Sequence, residues 1–125
     1  MSHTVKLQVE IKDRSALLAA CERLGYRVGE EGMHAFYNNQ SIKNEPQQGL
    51  AIYLPGWNYP VVIKGDGTIA YDNYNGSWGD IGHLNKLRQI YAAEVTQREF
   101  AMQGLSVYEQ TNQDGSMTLT VETGG

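Results

Sequence analysis

One cysteine, Cys21, serves the whole 125-residue chain, which rules out an internal disulfide and an all-cysteine metal cage. Cations are also short. Ten Lys and Arg stand against fourteen Asp and Glu, a net charge of −4, whereas binding to a phosphate backbone needs the opposite balance. No stretch comes near the roughly 20 consecutive apolar residues that span a bilayer. The first residues, Met1-Ser2-His3-Thr4-Val5-Lys6, run straight into an alternating pattern, without the charged-then-apolar order of a secretory signal. Missing too are the Gly-x-Ser-x-Gly elbow of a serine hydrolase and any histidine or cysteine pair at metal-ligand spacing. Gly65 and Gly67 lack the third glycine and following helix of a dinucleotide fingerprint. These absences point to a soluble cytoplasmic protein that crosses no membrane, leans away from enzymatic chemistry and carries no cofactor or metal.

What is present is periodicity. At this length, with 41% hydrophobic residues, the chain suits a single domain over 1–125 that buries roughly two thirds of its unfolded surface. Val5, Leu7, Val9 and Ile11 alternate with polar residues, the mark of a strand with one wet face. Asp13 is placed to cap a helix whose stripe is Leu17, Cys21 and Leu24, widened by Leu18 and Ala20, with Gly25 as its stop. Tyr26 to Tyr37 reads as strand around a Glu30-Glu31-Gly32 turn, Asn38 to Gly49 as polar loop, and Leu50, Ile52 and Leu54 as strand again. Val61-Val62-Ile63 and Thr68 to Tyr71 flank a tight turn at Gly65-Asp66-Gly67. Asp80 caps a long second helix with stripe Leu84, Leu87, Tyr91 and Val95, extended toward Phe100 or Met102 and stopped by Gly104. A last hairpin turns at Asp114-Gly115.

The spacing predicts strands near 4–11, 26–37, 50–54, 61–64, 68–72, 105–111 and 116–122 in one mainly antiparallel sheet. Helices near 14–24 and 81–103 should cover one face of it, as in a ferredoxin-like or related α+β sandwich.

Several landmarks fall together: Met1-Ser2-His3, the helix from Asp13 ending in Leu24-Gly25-Tyr26, and Tyr71-Asp72 followed by Trp78. The helix holding Leu87, Gln89 and Tyr91, then Gln103-Gly104-Leu105 and Asp114-Gly115-Ser116, completes the set. With these the chain resembles the family of chloroplast hypothetical open reading frame thirty-five, a domain of unknown function in cyanobacteria, plastids, other bacteria and some phages. It departs from that pattern over Asn38–Pro60 and in the loop Asn73 to Ser77. The resemblance implies a small soluble protein with no assigned reaction, and it transfers no site residue.

Chemistry therefore has to be sought residue by residue. His3, His34 and His83 have no partner four residues away. A neutral His83 in the first turn of the long helix suits a hydrogen bond to a ligand, while its charged form opposes the helix dipole. Asp66, Asp72 and Asp80 are explained by turn, strand end and cap. The distinctive stretch is aromatic: Trp57, Tyr59, Tyr71, Tyr74 and Trp78 alternate with Asn58, Asn73, Asn75 and Ser77. Rings give contact area at low entropy cost and amides give adaptable hydrogen bonds, a mixture that suits a flat ligand or a protein hot spot.

The binding surface is accordingly expected at Trp57, Tyr59, Tyr74, Trp78, Asp80 and His83, with Trp57 the ring farthest from the core. Outward-pointing backbone N–H groups at the helix start would add a polar subsite. The expected function is a non-enzymatic interaction module that binds a protein partner or forms a homo-oligomer. The alternative is a small-ligand binder, possibly phage-encoded, that sequesters a nucleotide or related metabolite, although Lys64, Lys86 and Arg88 are the only cations near. RNA or DNA is disfavoured by the net charge.

Overall fold

The computed structural model describes residues 10–34, 47–71, 76 and 79–122. Helix α1 spans Arg14–Leu24 because Asp13 holds an extended backbone and its Oδ1 accepts the Ala16 N–H at 3.0 Å. At the other end the Gly25 N–H returns to the Glu22 carbonyl at 3.2 Å. Helix α2 spans Ile81–Met102 and is capped in the same way, the Gly82 N–H reaching Asp80 Oδ1 at 2.8 Å. No helix of the described residues is long and apolar enough to cross a membrane.

Strands β1 (Arg27–His34), β2 (Gln47–Tyr53), β3 (Val61–Ile63) and β4 (Ile69–Ala70) form an antiparallel meander in the order β1-β2-β3-β4. Opposite pairs Leu50↔Ile63 and Ile52↔Val61 set one face of the sheet. That face meets Ile11, Leu17, Ala20 and Cys21 from the α1 side and Leu84, Leu87, Ile90 and Tyr91 from α2 in one buried cluster. Both helices therefore cover the same sheet face, and each large side chain so buried contributes about 1.5–3 kcal/mol. Ala51 and Val62 point the other way and are buried as well, which is why these two strands read as unbroken apolar runs instead of alternating.

The helices are also tied to each other. The Tyr91 hydroxyl accepts the Asp13 N–H at 3.0 Å, and Arg98 donates to Ser15 Oγ at 2.7 Å. Arg23 donates from one nitrogen to Glu94 at 2.8 Å.

Strands β5 (Ser106–Thr111) and β6 (Met117–Glu122) form a second, two-stranded sheet. Its pairs Val107↔Val121, Glu109↔Leu119 and Thr111↔Met117 share a face. Met117 packs against the core, while Tyr108 on the opposite face is exposed.

The architecture is α+β with antiparallel sheets, as expected, but several details differ from the sequence reading. The strands divide between two sheets because the last hairpin runs back along α2, where Gln89 and Gln97 meet it, instead of pairing with β4. Glu30-Glu31-Gly32 makes no turn. β1 continues through it with a register shift between Val28 and Glu31, the signature of a bulge. Gln47-Gln48-Gly49 belongs to β2 and not to the preceding loop, since Gln48 and Gln47 pair with Met33 and His34. Leu18, in α1, is exposed at 46%, and Met102, the last residue of α2, at 89%. Of the first strand expected at 4–11, residues 4–9 lie outside the described residues, and Glu10 and Ile11 are not in a strand. Ile11 at its end donates to the Gly67 carbonyl at 2.8 Å.

Candidate functional site

Leu54-Pro55-Gly56-Trp57 folds into a reverse turn closed by the Trp57 N–H on the Leu54 carbonyl at 3.2 Å. Proline followed by a residue at φ +74 is the pairing such a turn prefers. The turn sends the Trp57 ring back toward the start of α2. There the ring lies flat against Gly79, so close that a methyl group in place of the glycine hydrogen would strike it. The indole Nε1–H donates to the Asp80 carbonyl at 3.0 Å. Tyr71 meets the same indole edge-on, with ring centroids 5.8 Å apart and planes at 65°, a favoured geometry for aromatic pairs.

The corner thus gathers Trp57, Tyr71, Gly79 and Asp80. Trp57, expected to stand farthest from the core, is half-buried and packs against the core cluster. The Pro55-Gly56 turn is what carries the ring back toward the helix start. Asp80 is exposed, and one of its carboxylate oxygens, Oδ1, is engaged by Gly82. The backbone N–H groups expected as a polar subsite are spent in part: Gly82 on that carboxylate, His83 on the Asp80 carbonyl at 3.2 Å. Tyr59 is half-buried near the same loop. Tyr74 and Trp78 lie outside the described residues.

His83 sits one turn into α2 with its ring edge-on to Tyr26 at 6.3 Å. The Tyr26 hydroxyl donates to the His83 carbonyl at 3.0 Å, so it anchors the helix start to the strand side of the core. Burial pushes the Tyr26 hydroxyl pKa up. It also pushes the Cys21 thiol up to about 11, which keeps that cysteine protonated and unreactive. His34 is far from this corner in register, with Nε2 at 2.8 Å from the Glu30 carbonyl. Among the described residues no three His, Cys, Asp or Glu side chains come together as a metal-binding group.

Sequence reasoning passed over Gly79 and Ile81. Ile81, directly after Asp80, is exposed at 37%, and Tyr71, against the Trp57 ring, at 38%. A glycine directly before a helix cap, facing an aromatic loop, was the available clue to the first. Nothing local marks Ile81, which sits where a helix begins to leave the core.

A second concavity lies farther along α2. Asn85, Lys86 and Gln89 face Asp114, Gly115 and Ser116 of the β5–β6 turn across an open groove of about 450 Å3. Gln89 Nε2 closes one end on the Gly115 carbonyl at 3.2 Å. No family model, curated protein or solved structure matches the chain.

Proposed function

We propose that this protein is a non-enzymatic interaction module that docks a protein partner, or a second copy of itself, on the corner at Trp57, Tyr71 and Ile81. The observation that supports this reading is where the polar groups of the corner are spent. The indole N–H goes to the Asp80 carbonyl and Asp80 Oδ1 accepts the Gly82 N–H, so the Trp57 ring is held on a fixed frame next to the exposed Tyr71. A flat polar ligand needs free donors and acceptors. An apolar side chain from another protein does not, and a preorganised frame lowers the entropy lost on docking.

The test replaces Tyr71 with Ala and Ile81 with Ser, and measures self-association by sedimentation velocity and complex formation by native co-purification. Ile81→Ser should stay within about 0.5 kcal/mol of the parent in a melt, while Tyr71→Ala also gives up its edge-on contact with Trp57 and should cost about 1 kcal/mol. Association should weaken by about 2 kcal/mol, roughly thirty-fold, if these are hot spots. Trp57 itself is a poor choice for this purpose, since its ring also supports the fold. An association that survives both changes, yet is lost on Tyr108→Ala at the outer face of β5, would place the interface elsewhere.

A small-ligand reading draws on the groove between α2 and the β5–β6 turn. Its volume falls within the roughly 300–1,000 Å3 of small-molecule sites, and Lys86 supplies a cation for a nucleotide-like anion. Calorimetric titration with a nucleoside monophosphate checks it: saturable heat that Lys86→Ala removes is the expected result.

A further inference from the structure

Strands β5 and β6 bond to each other and, among the described residues, to no other strand. None of their residues is fully buried, whereas Val61, Val62 and Ile63 have no exposed surface at all. A two-stranded hairpin is marginal by itself in water. Its order must come from what it docks on, and among the described residues that docking is sparse. Met117 packs against the core, and Gln89 reaches the Gly115 carbonyl.

The main fastener is Glu109. Arg23 of α1 grips it with both terminal nitrogens, at 3.0 Å to Oε1 and 2.6 Å to Oε2, and Gln97 of α2 also donates to Oε1. Paired charge-assisted bonds of this kind are among the stronger polar contacts a side chain makes. The Glu109 side chain is only 18% exposed, so water does little to weaken the grip.

We propose that the β5–β6 hairpin is a separately opening flap held on the two helices by Glu109, and that acid releases it before the core unfolds. The groups facing Glu109 set the sign. Arg23 is the cation. Glu94 of α2 shares it at 2.8 Å, and Arg98 stands 4.0 Å from the other Glu94 oxygen. When Glu109 gains a proton, Arg23 keeps Glu94 as a full partner, and the hairpin loses its ionic tie while α1 and α2 keep theirs. Hydrogen bonding from Arg23 holds the Glu109 carboxyl below its ordinary value of 4.5, so the tie is complete above that pH and fades as pH falls through the lower folded value. Opening also removes the Asp114–Ser116 wall of the groove along α2.

Native-state hydrogen exchange on the whole chain tests this, comparing strand amides of 106–111 and 117–122 with those of 50–52 and 61–63. Protection in the hairpin should be at least ~10-fold below that of the inner strands at neutral pH, as for a locally opening unit. Glu109→Gln should lower it by a further ~10-fold and leave the inner strands unchanged, the scale of losing one charge-assisted tie. Acidification from pH 7 to about 3 should lower hairpin protection in the parent, with the loss setting in below about pH 4.5, but add little in that variant. Arg14→Gln breaks the separate Arg14–Glu31 pair, at 3.0 Å, and should leave the hairpin as it was. Equal protection in both regions, or a Glu109→Gln change that lowers both together or neither, overturns the proposal.

Discussion

Two turns in this molecule are near copies, and they close very different hairpins. In Lys64-Gly65-Asp66-Gly67-Thr68 the Gly67 N–H donates to the Lys64 carbonyl at 2.9 Å and the Lys64 N–H to the Thr68 carbonyl at 2.9 Å. In Asn112-Gln113-Asp114-Gly115-Ser116 the matching distances are 3.0 and 2.8 Å. Each aspartate accepts the backbone N–H and the hydroxyl of the residue two positions on, Thr68 at 3.0 and 2.6 Å and Ser116 at 2.9 and 2.6 Å. Gly67 and Gly115 have φ of +88 and +87. Yet β3 before the first turn is wholly buried, and β5 before the second is nowhere fully buried. Turn chemistry is decided within five residues. What a hairpin is worth to the fold is decided by what lies against it.

The sharpest way to break that comparison is to truncate one apolar side chain in each hairpin. Ile63→Ala should cost about 3–4 kcal/mol, as for a filled core site that cannot collapse. Leu119→Ala, at a half-buried position, should cost about 1 kcal/mol. Denaturant melts of the two variants check this, and similar losses would mean that the second hairpin is as much a part of the core as the first.

A smaller contrast is expected at the paired glycines. Gly115→Ala meets nothing within 4 Å and pays only for a left-handed backbone, about 1 kcal/mol. Gly67→Ala carries the same backbone strain and also drives a methyl group to 2.8 Å from Lys12 Cγ and 3.1 Å from the Ile11 nitrogen. It should lose about 2–3 kcal/mol by the same melts.

The smallest effect lies in the turn carboxylates. Asp66 and Asp114 both sit below their ordinary value of 3.8, each chiefly through the hydroxyl that donates to it. Thr68→Val and Ser116→Ala should each raise the partner aspartate's pKa, by similar amounts, in an NMR titration. A rise at one turn alone would show that the two are less alike than their hydrogen bonds indicate.

The same division explains what the sequence made legible. Asp13, Gly25 and Asp80 announced the helix ends to within a residue, and the two Asp-Gly turns announced their hairpins, because caps and turns are local signals. Strand partnership is not local. The alternation of Met117, Leu119 and Val121 says that one face is drier than the other, and it is silent on whether α2 or β4 lies beside the hairpin. Helical periodicity likewise found Leu84 and Leu87 but not where the core stops: of Phe100 and Met102, the two ends it allows the stripe, the first is half-buried and the second exposed. At the aromatic corner the residue types were readable and their roles were not. Trp57 looked like a free ring because its consumers, Gly79 and the Asp80 carbonyl, stand more than twenty positions away.

The packing of Trp57 on Gly79 has a consequence for how this chain can change over generations. The indole fills the volume that any side chain at position 79 would need, so the two positions vary as one unit. A lineage that enlarges residue 79 first has to shrink residue 57, and the reverse order meets a steric barrier at its intermediate. Shrinking residue 57 also removes one of the two donors on the Asp80 carbonyl, leaving it the His83 N–H. Drift at this corner is therefore directional. Sequences that share the corner and carry a side chain at position 79 should lack the large ring at 57.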